Sequence, residues 1–210
     1  MMADFLERLL DGAEVAWVPL AKLAQIKNGR DWKSLKEGNI PLYGSGGIMG
    51  YVNAYAYDKP TVLIPRKGSI TNIFYLEEPF WNVDTIYYTE IDKAALVPKY
   101  LYHFICSLDI EALDTGSGRP SLTQAILNKI LIPIPCPDNP EKSLAIQGEI
   151  VRILDTFTEL TAELTAELTA ELTAREKQYK YYREQFITFS DDKIEWVNLD
   201  ELATIGTGSR

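Results

Sequence analysis

From Ser143 to Phe189 the chain contains no proline and a single glycine, Gly148. A run of that length without a breaker predicts one long helix, and apolar residues mark one side of it. They fall at Ile146, Ile150, Ile153, Phe157, Leu160, Leu164, Leu168, Leu172, Tyr179, Tyr182 and Phe186. The outer parts step by three and four, the seam spacing of a coiled coil. The middle instead repeats Thr-Ala-Glu-Leu in tandem over residues 161–172, led in by Thr158-Glu159-Leu160. A step of four advances ~400°, so the leucine stripe drifts ~40° per repeat and locally unwinds a coiled coil. Each unit adds about 6 Å of helix, and about 45 residues span roughly 70 Å. Such a segment is a ruler. It cannot bury its stripe alone, so Ile150, Ile153, Phe157, Leu160, Leu164, Leu168, Leu172, Tyr179, Tyr182 and Phe186 are expected to meet a partner helix. Glu159, Glu163, Glu167 and Glu171 form a solvated or subunit-contacting face, not a metal site.

The chain echoes itself on either side of this helix. Trp17-Val18-x-Leu20-x-x-Leu23-Ala24-x-Ile26-x-x-Gly29 returns as Trp196-Val197-x-Leu199-x-x-Leu202-Ala203-x-Ile205-x-x-Gly208. Seven identities in register over thirteen positions, each after a charged turn, point to a two-unit design. The expected organisation is a globular unit over 1–142, a long helix over 143–189, and the opening of a second unit over 190–210.

Charge and composition narrow the function. The hydrophobic fraction of 46% supports a packed core, and no apolar run reaches the ~18 residues of a membrane span. Met1–Leu10 lacks the basic start and apolar stretch of a signal peptide. Cys106 and Cys136 lack metal-type spacing and are expected as small buried thiols in a reducing cytoplasm. Net charge is −9, of which −3 falls on residues 1–142 and −6 on 143–210. Within the first part, Lys22, Lys27, Arg30, Lys33 and Lys36 face only Asp31 across fifteen residues. Local patches can therefore meet phosphates on an acidic chain, although strong affinity needs several cationic contacts.

The globular unit reads as mixed α and β. Trp17–Ile26 combines a strand start with a short helical pattern. Strands are expected at Ile40–Tyr43, Tyr51–Tyr57, Thr61–Pro65, Val83–Tyr88 and Ile130–Ile134, and helical patterns at Ala95–Leu113 and Ser121–Leu127. The glycine-rich 44–50 stretch matches neither a Walker loop nor a dinucleotide fingerprint. It lets backbone amides approach a ligand or makes a tight turn. His103, the sole histidine, is expected to pack rather than to catalyse. There is no Asp/Asn-Pro-Pro-aromatic loop for amino methylation. Pro137-Asp138 and Glu141-Lys142 lie too close together, in a proline-rich exit, to form a nuclease site. No catalytic residue and no metal site is assigned.

Four segments together resemble the DNA-specificity subunit of type I restriction–modification systems. Leu63-Ile64-Pro65-Arg66-Lys67-Gly68-Ser69-Ile70 is similar to the strand and turn near the middle of a target recognition domain. Phe80-Trp81-Asn82-Val83-Asp84-Thr85 resembles the aromatic-then-Asp-Thr step that follows it. Gly118-Arg119-Pro120-Ser121-Leu122-Thr123 through Ile130-Leu131-Ile132-Pro133-Ile134-Pro135 resembles that domain's closing helix and strand. The tandem Thr-Ala-Glu-Leu helix resembles the central spacer whose repeat number sets half-site spacing. This chain departs from the family in holding one recognition domain plus the start of another. Its Pro135-Cys136-Pro137-Asp138-Asn139-Pro140-Glu141-Lys142 also replaces the usual Pro-Pro-Leu-x-x-Gln lead into the spacer.

The resemblance implies an α+β fold, a mixed α/β recognition domain followed by a coiled-coil-forming helix. It implies double-stranded DNA, a modification subunit and a restriction subunit as partners. S-adenosylmethionine and ATP would be used by those subunits and no cofactor by this chain. Two half-length copies would pair their helices antiparallel and read an interrupted palindrome. Lys27, Arg30 and Lys33 are expected at phosphates, from the local basic excess. Ser45, Gly46, Arg66, Lys67, Asn72, Ser117 and Arg119 sit in polar or glycine-rich turns suited to approaching DNA. The competing readings are a coiled-coil adaptor that binds protein, and a decoy that holds modification subunits without reading DNA.

Overall fold

Thr61-Val62-Leu63-Ile64-Pro65 is buried at every position because both faces of its sheet are covered. The computed structural model describes residues 12–113, 121–187 and 197–203. In chain order it contains β1 (Val15–Pro19), a 3-10 turn (Leu20–Lys22), β2 (Ala24–Lys27), β3 (Glu37–Gly44) and β4 (Gly47–Val52). Then come β5 (Thr61–Pro65), β6 (Phe74–Leu76), β7 (Trp81–Asn82), β8 (Ile86–Ile91) and α1 (Pro98–Cys106). A 3-10 turn (Glu111–Leu113), α2 (Gln124–Leu127), β9 (Leu131–Pro135), α3 (Pro140–Ile187) and α4 (Leu199–Leu202) complete the order. This is the mixed α+β fold with a long C-terminal helix that the sequence leads one to expect.

Among the described residues three sheets share the work, ordered β2-β8-β5-β6, β4-β3-β7 and β1-β9. Every pairing is antiparallel except β3 with β7. Alternation on β5 and β8 sends Val62, Ile64 and Tyr87 into one core and Leu63, Ile86 and Tyr88 into another. The first core is closed by Leu20, Leu96, Leu101, Ile105, Leu122 and Leu127 from the helical segments and their flanks. The second is aromatic, with Tyr43, Tyr57 and Phe74 around Phe80. Where the β5–β8 ladder runs out, hydroxyls continue it: Thr61 Oγ1 donates to the Thr89 carbonyl at 2.7 Å and Val62 N–H donates to Thr89 Oγ1 at 3.0 Å.

Several boundaries differ from expectation. The 44–50 stretch makes the tight turn, a Ser45-Gly46 tip between the end of β3 and most of β4, because backbone pairing continues up to Gly44 and Gly47. The strand expected at Tyr51–Tyr57 stops at Val52, and Tyr57 keeps only an isolated bridge to Phe80. The helical pattern at Ala95–Leu113 yields α1 alone plus a 3-10 turn, since Pro98 holds Val97 extended and opens the helix itself. Cys106 is exposed rather than buried, and Cys136 is half-buried.

The chain divides into two compact units, one ending at Phe157 and one beginning at Thr158. The first unit therefore takes in the opening turns of α3. There Ile146 is buried, and Ile150 and Val151 pack on the large core. Gln147 is fully buried; its side chain accepts from Val97 N–H at 2.8 Å and donates to the Ala95 carbonyl at 3.1 Å. Asp155 takes Lys99 Nζ at 2.7 Å and His103 Nε2 at 2.9 Å.

In the second unit α3 is polar apart from its stripe. Thr165, Thr169 and Thr173 each donate a hydroxyl to the carbonyl four residues back, at 2.7, 2.7 and 2.9 Å. That bond satisfies a hydroxyl beside the leucine stripe without a partner chain. Among the described residues, no helix is long and apolar enough to cross a membrane.

Candidate nucleic-acid interface

The turn between β7 and β8 organises the polar edge of the first unit. Asn82, fully buried, donates its Nδ2–H to the Ile86 carbonyl at 2.8 Å and so fixes the bend that presents Asp84 and Thr85. Thr85 then gathers two other segments. Its Oγ1 accepts from Ser45 N–H at 3.2 Å, and its carbonyl accepts from Arg66 N–H at 2.9 Å. Asp84 takes the Lys67 ammonium at 2.9 Å, with both groups largely in solvent. Such a pair contributes under about 1 kcal/mol but sets the direction of the lysine.

The same edge receives two more segments. Asn72 donates to the Ser45 carbonyl at 3.1 Å, tying the β5–β6 connection to the tip of the β3–β4 ribbon. Gly68 has φ +86°, and a Cβ there would lie 2.9 Å from Ser45 Oγ, so the turn approaches the ribbon closely only as glycine. The 28–36 segment docks through Arg30 N–H on the Asn82 carbonyl at 2.9 Å and Trp81 Nε1–H on the Arg30 carbonyl at 3.4 Å. Arg30, Asp31, Trp32, Lys33 and Met49 line a cavity of about 390 Å³ with Val83, Asp84 and Thr85. Past the undescribed stretch, Ser121 bridges to Lys67, and Leu122 N–H donates to the Arg66 carbonyl at 2.8 Å.

Of the residues singled out in the sequence, Arg30, Lys33, Ser45, Gly46, Arg66, Lys67 and Asn72 thus lie on segments joined at Asp84-Thr85. Lys27 is on β2 rather than in these loops, and its ammonium pairs with Glu90 at 3.4 Å. Ser117 and Arg119 lie outside the described residues. Thr85, Asn82 and Trp32 were not singled out as site residues. For Asn82 and Thr85 the signal was the Phe80–Thr85 step itself, whose polar members hold a turn.

The helix residues divide differently. Ile150 packs against the large core and Ile153 is half-buried. Phe157, Leu160, Leu164, Leu168, Leu172, Tyr179, Tyr182 and Phe186 are exposed, between 48% and 74%.

Cations on backbone-tethered loops suit a binding module, one that meets its ligand across an open edge. Residues 14–174 match the type I restriction modification DNA specificity domain. The chain is 37% identical over 212 residues to the EcoR124I/EcoR124II specificity subunit of a type I restriction enzyme from Escherichia coli, covering 95% of this chain and 51% of that protein. Against the EcoprrI specificity subunit, also from Escherichia coli, identity is 39% over 218 residues, with 91% and 54% covered. The fold is shared with the type I S subunit from M. genitalium (TM-score 0.61, 24% identity, 84% of this chain and 47% of that one). It is shared too with HsdS from Thermoanaerobacter tengcongensis (TM-score 0.55, 17% identity, 77% and 44% covered). The chain belongs to the type I restriction–modification DNA specificity family. It spans about half the length of the relatives it matches.

Proposed function

We propose that this chain is the sequence-reading component of a type I restriction–modification complex, and that it works as a homodimer. The first unit reads one half-site of double-stranded DNA. The long helix, paired antiparallel with that of a second copy, sets the distance between half-sites. A modification subunit that uses S-adenosylmethionine and a restriction subunit that uses ATP supply the chemistry. This chain supplies address and distance, and works in the cytoplasm.

The observation that supports this best is the joining of separate loops at Asp84-Thr85, which brings Arg30, Lys33, Arg66 and Lys67 to one edge. Backbone tethers at Ser45, Arg66 and Arg30 hold those loops in register. Phosphate contacts from the cations would then orient the domain, while ribbon and turn side chains meet base edges. The exposed stripe from Phe157 to Phe186 supports the pairing of helices.

The test is methylation of random-sequence DNA by this chain with its modification subunit and S-adenosylmethionine. Methylated adenines in a symmetric, interrupted site are the expected result. A stable complex that methylates nothing would overturn it, and would make the chain a decoy or one that requires a second recognition domain.

A further inference from the structure

Strand β4 turns apolar side chains to solvent: Ile48, Met49 and Tyr51 are 52%, 59% and 54% exposed. Among the described residues it is also the edge of its sheet, paired only with β3. Edge strands are usually blunted with charge, because an apolar edge invites pairing with another chain. Here the alternation itself is broken. Leu42 pairs with Gly50 but Tyr43 with Ile48, so Met49 is an extra residue in the strand. Such a bulge re-aims a side chain, and it puts two consecutive apolar residues outside. Gly44 leaves room for this, since a Cβ there would collide with Met49 Sδ.

What flanks the ribbon identifies its occupant. Ser45 at the tip donates to Thr85 Oγ1, whose residue also takes Arg66 N–H at its carbonyl, with Arg66 and Lys67 exposed. At the same turn, Met49 shares a cavity with Arg30 and Lys33, and with Asp31 and Asp84. At the foot, Lys36 and Asn53 exchange two hydrogen bonds of 3.0 Å. Cations and apolar ribbon thus share the edge gathered at Asp84-Thr85. A major groove offers complementary surfaces, base edges beside walls of phosphate, and it admits a two-stranded ribbon. Ile48 and Met49 offer no strong hydrogen-bonding group, so they cannot read the donor and acceptor pattern of the groove floor. Its one apolar feature is the thymine 5-methyl group.

We propose that the β3–β4 ribbon lies in the major groove of the half-site, where Ile48 and Met49 recognise a thymine by its 5-methyl group. This rests on the DNA-reading function above and names how part of that reading is done. The test uses the chain assembled with its modification subunit. Mapping methylation on random-sequence DNA first defines the half-site. Duplexes carrying that site are then made with deoxyuridine replacing each thymine in turn.

At one position in each half-site, deoxyuridine is expected to weaken binding about fourfold, the worth of one buried methyl group. Ile48→Ala and Met49→Ala weaken binding to the thymine duplex and shrink the deoxyuridine penalty, with an unchanged melting temperature. Deoxyuridine tolerated at every position overturns the proposal without needing any variant to fold. So does a penalty that persists undiminished in both variants. So also do variants that lose the modification subunit or the second copy, which would make this edge a protein interface. A wild-type complex that methylates no defined site would overturn the DNA-reading function, and the proposal with it.

Discussion

Thr85 shows how one hydroxyl can hold a recognition surface in register. Thr85→Val keeps the shape of the side chain and removes the acceptor for Ser45 N–H. The expected cost is about 1 kcal/mol in urea unfolding, with looser half-site discrimination in the methylation assay. Full discrimination in the variant would show that the ribbon tip is held by other bonds. Asp155 works where α3 meets α1, taking Lys99 and His103. Burial pushes its carboxyl up, but hydrogen bonds from Lys99 and His103 outweigh that and leave it below the ordinary range. A carboxyl lowered by folding stabilises the fold while ionised, so its contribution is present above an ordinary aspartate pKa of about 4. That contribution is lost as pH falls through the lowered value. Asp155→Asn should therefore lower the melting temperature at pH 7, and the difference from wild type should shrink below about pH 4. A difference that does not vary with pH would contradict the account.

At the scale of elements, the junction between α3 and the first unit depends on Gln147. Gln147→Leu fills the same space but orphans Val97 N–H and the Ala95 carbonyl, and should cost about 2–4 kcal/mol by denaturant melting. A neutral result would mean that apolar packing of Ile146, Ile150 and Val151 alone docks the helix. The elements most legible in the sequence were those specified locally. Thr61–Pro65 is a short apolar run rich in β-branched residues, and α3 has an apolar period and no breaker. The ribbon was less legible because its glycines signal a loop, whereas strand pairing, a tertiary effect, extends β3 and β4 into them. The cations of the candidate site could be read directly, being exposed and clustered in sequence. Their organisers could not, since Ser45 is tied to Thr85 forty positions away and Lys67 to Asp84 seventeen away. Ile150 has the spacing of a seam residue, but period alone cannot tell a partner helix from the chain's own domain.

At the scale of the whole molecule, the echo returns as structure. Leu20–Lys22 and Leu199–Leu202 each form a helical turn at the same place in the repeated motif. Leu20 and Leu23 are buried core residues, while Leu199 and Leu202 are exposed. The repeat thus brackets the helix that the account treats as a ruler. The acidity of the chain also finds its place, because most of it lies outside residues 1–142 while exposed cations gather on the loops joined at Asp84-Thr85. The measurement that bears most directly on the account is the spacer length of the methylated site for chains with two, three and four Thr-Ala-Glu-Leu units. Each added unit is expected to leave both half-sites unchanged and lengthen the spacer by roughly 6 Å of helix, nearly two base pairs at ~3.4 Å each. A spacer that stays constant, or half-sites that change in sequence, would contradict it.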